Sequence, residues 1–191
     1  MAISKIKQTL EEVQKLAEYS FCMVGRLELA GLTIADAFKR GNKVLIGGNG
    51  GSAAEALHMA GEFVGRFKKE RIALPAIVLG SNLSALTAVA NDYDYELAFG
   101  REVEAFGKSG DVLVVFSTSG NSKNIIHAVA KAHTHGLEAI GFSGSGGALK
   151  DHVTLPILVN SSDTPRIQEV HQVYTHVICE LVEDILFGSG A

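Results

Sequence analysis

Apolar residues recur at helical spacing from the start of this chain. Ile6, Leu10, Val13 and Leu16 lie three or four positions apart, and a second amphipathic stretch carries Leu27 to Phe38, so 3–40 reads as helix. Gly41-Asn42 ends it. The pattern then changes to short continuous apolar runs: KVLIG (43–47), PAIVLG (75–80), DVLVVF (111–116), EAIGFS (138–143) and TLPILV (154–159). Runs of this kind read as strands buried on both faces. Helical segments fill the gaps at 53–67, 82–90, 95–106 and 122–135. A last helix over 165–187 carries a stripe of Ile167, Val170, Val173, Tyr174, Val177, Ile178, Leu181 and Ile185. Strands alternating with helices predict an α/β fold, a parallel sheet covered on both faces, with further helices at each end. The helical segment at 3–40 is longer than five strands need for cover, so part of its apolar surface is predicted to meet another subunit.

Length and composition narrow this picture without redirecting it. The chain has 191 residues, enough for one domain over 1–191 with a sizeable core. Its formal net charge of −4 gives no reason to expect nucleic acid or an anionic membrane as partner. MAISKIKQTLEEVQKLAEY has no uninterrupted apolar stretch of the secretory kind, and no run approaches the ~20 apolar residues of a membrane span. Cys22 and Cys179 stand apart among apolar neighbours, which predicts two reduced, buried thiols in a cytoplasmic protein.

Two strands run into unusually small, polar turns, GGNGGS (47–52) and STSGNS (117–122). In an open parallel sheet, ligands sit beyond the carboxyl ends of the strands. Ser52 followed by Glu55 has capping-box spacing, and Ser122 opens the next helix. Ser117, Thr118, Ser119 and Ser122 place four hydroxyls beside a helix N-terminus, a way to hold phosphate without lysine. A tight turn before a packed helix is the plain alternative. The first loop is not a P-loop, for it has no lysine. It matches G-x-G-x-x-A at Gly48, Gly50 and Ala53, but the next strand ends in Gly80-Ser81-Asn82, without the acid that holds a ribose. Glu70 lies before that strand rather than at its end. The dinucleotide reading weakens accordingly.

His58 and Glu62 are four residues apart, on one helical face, with Leu57, Ala60, Gly61 and Val64 expected to pack on the other. A histidine and a carboxylate at this spacing can share a divalent metal, or form an ordinary solvated pair. Gln168 and His176, with Gln172 between, drift roughly 80° around the last helix over a rise of about 12 Å. Long side chains, or ligands from two subunits, could bring them to one ion; polar flanks on a long helix would look the same. His127, His133, His135, His152 and His171 read as structural, and Asn91-Asp92 as a turn or a hydroxyl-binding pair.

Taken as a set, G48-N-G-G-S52, H58-M-A-G-E62, A90-N-D92, S117-T-S-G-N-S122 and R166-I-Q-E-V-H-Q-V-Y-T-H176 resemble the phosphoheptose isomerase family of the SIS fold, over nearly the whole chain. The resemblance implies a three-layer αβα sandwich, flavodoxin-like, with a five-stranded parallel sheet. It also implies a homotetramer with active sites where subunits meet. The implied reaction converts D-sedoheptulose 7-phosphate to D-glycero-D-manno-heptose 7-phosphate, the first step toward activated heptose for lipopolysaccharide and other surface glycans. By the same resemblance, His58, Glu62, Gln168 and His176 hold zinc, and Glu62 and His176 carry the proton transfers. Asn49, Gly50, Gly51, Ser52, Glu62, Asn91, Asp92, Ser117, Thr118, Ser119, Ser122 and Gln168 contact substrate. A shielded carboxylate can move the carbon-bound proton, an imidazole the hydroxyl protons, and a metal can polarise the carbonyl. A metal-bound carboxylate is a weaker base, so proton abstraction ranks as the essential role of Glu62. Some chains of this fold are non-catalytic regulators that bind the replication initiator DnaA and lack equivalents of Glu62 and His176. A further alternative is another sugar-phosphate-binding SIS protein.

Overall fold

The computed structural model describes residues 2–188. Helix α1 (Ala2–Tyr19) passes through a 3-10 turn at Ser20–Met23 into α2 (Val24–Lys39). Gly41, at φ 78°, makes the turn after α2. There follow β1 (Val44–Gly48), α3 (Gly51–Val64), β2 (Ala76–Val78), α4 (Leu83–Asp92), a 3-10 turn at Tyr95–Leu97 and α5 (Ala98–Phe106). The chain continues through β3 (Val112–Ser117), α6 (Lys123–Thr134), β4 (Glu138–Ser143), α7 (Leu149–His152), β5 (Leu155–Leu158) and α8 (Thr164–Phe187). Each apolar run becomes a strand, within two residues at either end. The short α7 has no counterpart in the sequence reading, since one helical turn shows no periodicity.

All strand pairings are parallel, in the order β2-β1-β3-β4-β5. Val44 pairs with Ala76 on one side and Val112 on the other, and Val112 pairs in turn with Glu138. The direction of winding reverses between β1 and β3, so a crevice opens beyond their carboxyl ends. The two small-residue loops leave from those ends.

The pleat sends alternate strand residues to two cores. Val44, Ile46, Val112, Val114 and Phe116 face α2, α3 and α8, whereas Leu45, Leu113 and Val115 face α5 and α6. This is the expected αβα sandwich. The buried face of α3 differs from the one read in the sequence. Ala56, Met59, Ala60 and Phe63 pack inward, while Leu57 and Val64 are 56% and 49% exposed and Gly61 is exposed too. On α8, Val173 and Val177 leave the expected stripe for the surface, and Cys179 and Val182 join the core. The expectation of two buried thiols holds for one. Cys179 is buried, and that burial pushes its thiol up; Cys22 is exposed on the 3-10 turn after α1.

Beyond α3 the chain winds around one carboxylate. Glu183 accepts backbone N–H bonds from Phe67, Lys68 and Lys69 at 2.8–2.9 Å and a 3.0 Å bond from Arg71 Nε. Arg71 Nη2 donates to the Glu62 carbonyl at 2.6 Å, and its Nη1 to the carbonyls of Phe63, Gly65 and Ile72 at 2.7, 3.2 and 2.9 Å, closing the C-terminal turn of α3. No helix among the described residues is long and apolar enough to cross a membrane.

Candidate active site

The loop between β1 and α3 starts the helix two residues earlier than a cap at Ser52 would. Gly50, at φ 56°, is the N-cap, so Ser52 falls inside the first turn and makes no capping bond. The expected capping box is therefore not formed. Glu55, its other half, turns into the core and faces His171 instead.

The loop between β3 and α6 gathers its hydroxyls. Ser117 Oγ donates to Ser122 Oγ at 3.0 Å, Ser119 Oγ accepts from the Asn121 amide at 3.2 Å, and Thr118 Oγ1 lies 3.5 Å from Thr164 Oγ1 of α8. Ser122 caps α6 by position only, without a side-chain capping bond. The positive end of the α6 dipole faces this loop, an arrangement suited to an anion.

A hydrogen-bonded set that the sequence reading missed ties the two loops together. Asn49 and Asn124 exchange amide bonds of 2.9 Å each, and Tyr95 Oη donates to Asn49 Oδ1 at 2.7 Å. The available signal was Asn124 two residues after Ser122, a polar side chain in the first turn of a helix that leaves the sheet's ligand edge. Asn91 and Asp92 close α4 rather than follow it as a break. Both are exposed, and Asn91 Nδ2 donates to Asp92 Oδ1 at 2.8 Å.

Two turns into α3, His58 meets α8. His58 Nε2 lies 3.0 Å from both Glu62 Oε1 and His176 Nε2, and His176 Nε2 lies 3.0 Å from Gln172 Nε2. The ligand atoms of His58, Glu62 and His176 are all within 4.8 Å of one another. One imidazole nitrogen carries a single proton or a single lone pair, so this crowding cannot be served by hydrogen bonds alone. A shared cation suits it: two ligands about 2.1 Å from a tetrahedral zinc stand about 3.4 Å apart. Two imidazoles and a carboxylate also form a usual donor set for zinc. Gln168 stands two turns up α8 with its carboxamide against Gly51, where a β-carbon would come within 2.3 Å of Nε2. Gln172, at the intermediate turn, is the carboxamide that touches His176.

The SIS domain family matches residues 3–144. A phosphoheptose isomerase of Campylobacter concisus is 48% identical over 189 residues, covering 98% of this chain and 100% of the relative. One from Clostridium acetobutylicum is 47% identical, covering 98% and 89%. Among solved structures, a phosphoheptose isomerase from Francisella tularensis superposes with TM-score 0.92 at 31% identity, covering 96% of this chain and 99% of that one. Another from Neisseria gonorrhoeae gives 0.91 at 33% identity, covering 96% and 100%. By family match, identity and architecture, the chain belongs to the phosphoheptose isomerases, enzymes built on the SIS domain.

Proposed function

We propose that this isomerase interconverts D-sedoheptulose 7-phosphate and D-glycero-D-manno-heptose 7-phosphate, with Glu62 as the carbon base and His176 as the acid–base group for the hydroxyls. The observation that carries the proposal is the convergence of His58, Glu62 and His176 at one point between α3 and α8. The serine loop takes the phosphate, assisted by the α6 N-terminus, while Asn49, Gly50, Gly51, Ser52, Asn91 and Asp92 contact the sugar. His58, Glu62 and His176 would hold a zinc ion, which when bound polarises the substrate carbonyl, and Gln168, whose carboxamide lies against Gly51, would join them only by turning along α8.

The proton inventory fits these side chains. The ketose loses a proton from C1 to the Glu62 carboxylate, giving an enediol, and C2 regains one on the way to the aldose. One hydroxyl proton must leave O1 and one must arrive at O2; His176 serves both moves. Glu62 acts as base when its carboxylate is free of the ion. Its partial burial between the two helices limits water at the reacting carbon.

The protein would act as one domain and as a cytoplasmic homotetramer. Support for assembly comes from apolar surface left open on one chain. Ile3, Ile6 and Leu10 on α1 are 83%, 60% and 64% exposed. An apolar groove of about 300 Å³ runs between Phe21, Val24, Val173 and Val177.

The test incubates zinc-loaded protein with sedoheptulose 7-phosphate in D2O and follows aldose formation and deuterium at C2. Turnover that Glu62→Gln abolishes, with assembly intact, is the expected result. No aldose from folded, metal-loaded protein would refute the reaction, and full activity in Glu62→Gln would refute the base.

A further inference from the structure

Helices α3 and α8 both return antiparallel to the strands on the same face of the sheet, so they run parallel to each other. Their polar residues meet in rungs. Gly51 lies against Gln168, Glu55 against His171 and His58 against His176. At the far end Arg71 joins the Glu62 carbonyl to Glu183. The first and third rungs carry the expected metal ligands. The second is absorbed by nothing in the proposed reaction.

That second rung is also the most buried. Glu55 is 6% exposed and His171 0%, with Oε1 3.6 Å from Nδ1. The Glu55 oxygens, His171 Nδ1 and Thr175 Oγ1 have no protein hydrogen-bond partner. The His171 ring is wedged against Phe116 and Phe142, with centroids 5.8 and 5.6 Å away, and its Nε2 lies 3.5 Å from the carbonyl oxygen of Ser143. A buried carboxylate is tolerated only with a partner, and among the described residues His171 is the one basic group within 4 Å of Glu55. Apolar ridges between two helices tolerate sliding, whereas this rung does not. A shift of one turn, about 5.4 Å, would carry Glu55 away from His171. The same shift would separate His58 from His176.

We propose that Glu55 and His171 are positioning residues, a buried pair that fixes the register of α3 against α8 and so the spacing of the metal ligands. The inference rests on the metal reading of the His58–Glu62–His176 cluster. Buried pairs contribute little net stability, and apolar replacements of similar volume are often neutral or stabilising; register is their best-attested use. Stability and metal binding should therefore part company.

The experiment compares the full-length protein with the double variant Glu55→Leu/His171→Leu and with Glu55→Gln, which keeps the side chain's size should the double variant fail to fold. Zinc affinity is read by chelator competition, coordination by the visible spectrum of the cobalt(II)-loaded protein, and stability by Tm. Zinc affinity is expected to fall about tenfold or more, as for other groups that orient metal ligands, with an altered cobalt spectrum and a Tm that holds or rises. Affinity within about twofold of wild type in a folded variant overturns the inference, as does a loss that only tracks a falling Tm. Failure of the wild-type protein to bind zinc overturns the metal reading and this inference with it.

Discussion

Replacing Glu183 with alanine removes the acceptor around which the segment after α3 is wound. Four donors converge on it, three backbone amides at 2.8–2.9 Å and Arg71 Nε at 3.0 Å. The Arg71 and Glu183 side chains are 1% and 2% exposed, so the guanidinium would stay buried without its counter-charge. Breaking such a pair from one side costs about 3–5 kcal/mol. For 191 residues an unfolding entropy of about 0.4 kcal/mol/K converts this to a Tm lower by roughly 7–12 °C. The assay is thermal unfolding at pH 7 and fixed protein concentration, because assembly would make Tm concentration-dependent. The pH dependence has a definite sign. Burial pushes the Glu183 carboxyl up, but the bonds from Lys68, Phe67, Lys69 and Arg71 outweigh it and hold the group below its ordinary value. Its stabilisation is thus complete above the unfolded carboxyl value of about 4.3 and is lost as pH falls through the lower native one. The gap between wild type and variant should narrow in acid. A Tm difference under about 2–3 °C at pH 7, or one that persists undiminished in acid, would refute this reasoning.

Three further expectations concern the loops and the ligands. Gly147, at φ 87°, would place a β-carbon 2.3 Å from the Ser119 carbonyl oxygen, and backbone cannot yield as a side-chain end can. Gly147→Ala should cost about 2–4 kcal/mol and raise the KM for sugar phosphate, both measurable on purified protein. At Gly51 the obstacle is the flexible end of Gln168, so Gly51→Ala should fold within about 1 kcal/mol of wild type yet displace that carboxamide. A fall in zinc affinity would support Gln168 as a ligand, and no change would exclude it. Dihydroxyacetone phosphate, a three-carbon ketose phosphate, should compete with substrate while exchanging its C1 proton with D2O about 100-fold or more slower, because its reactive end does not reach Glu62. Comparable exchange rates would contradict a site that separates phosphate from base.

Much of the fold is legible in the chain because a parallel sheet writes its strands as unbroken apolar runs. DVLVVF becomes β3 with all six residues of Val112–Ser117 buried. The strand order is not written locally, since it depends on which way each crossover turns. Nor is the inward face of α3. Leu57 and Val64 are apolar yet exposed, and the same holds for Ile6 and Leu10 of α1, so hydrophobicity alone mixes core positions with surface that suits a neighbouring subunit. The failed capping box has a local cause. Positive φ at Gly50 opens α3 ahead of Ser52, and Glu55, released from the helix end, becomes available to the core.

The candidate site divides along the same line between local and tertiary information. His58 and Glu62 can be paired from sequence because four residues of helix set their distance. Nothing in spacing joins them to His176, 118 positions after His58, until two helices following parallel strands are laid side by side on one face of the sheet. That packing also explains why the cluster lies where it does. Gly51 opens α3 at the sheet's switch point, and seven residues of helix carry His58 about 10 Å from it. The hydroxyls proposed to take phosphate and the His–Glu cluster are therefore held apart by a rigid element rather than by a loop. A ligand anchored at one end must be several carbons long to present its other end to Glu62. On the proposed reaction the helix would serve as a ruler for chain length, and its register against α8 would decide whether the ruler ends at a complete set of ligands.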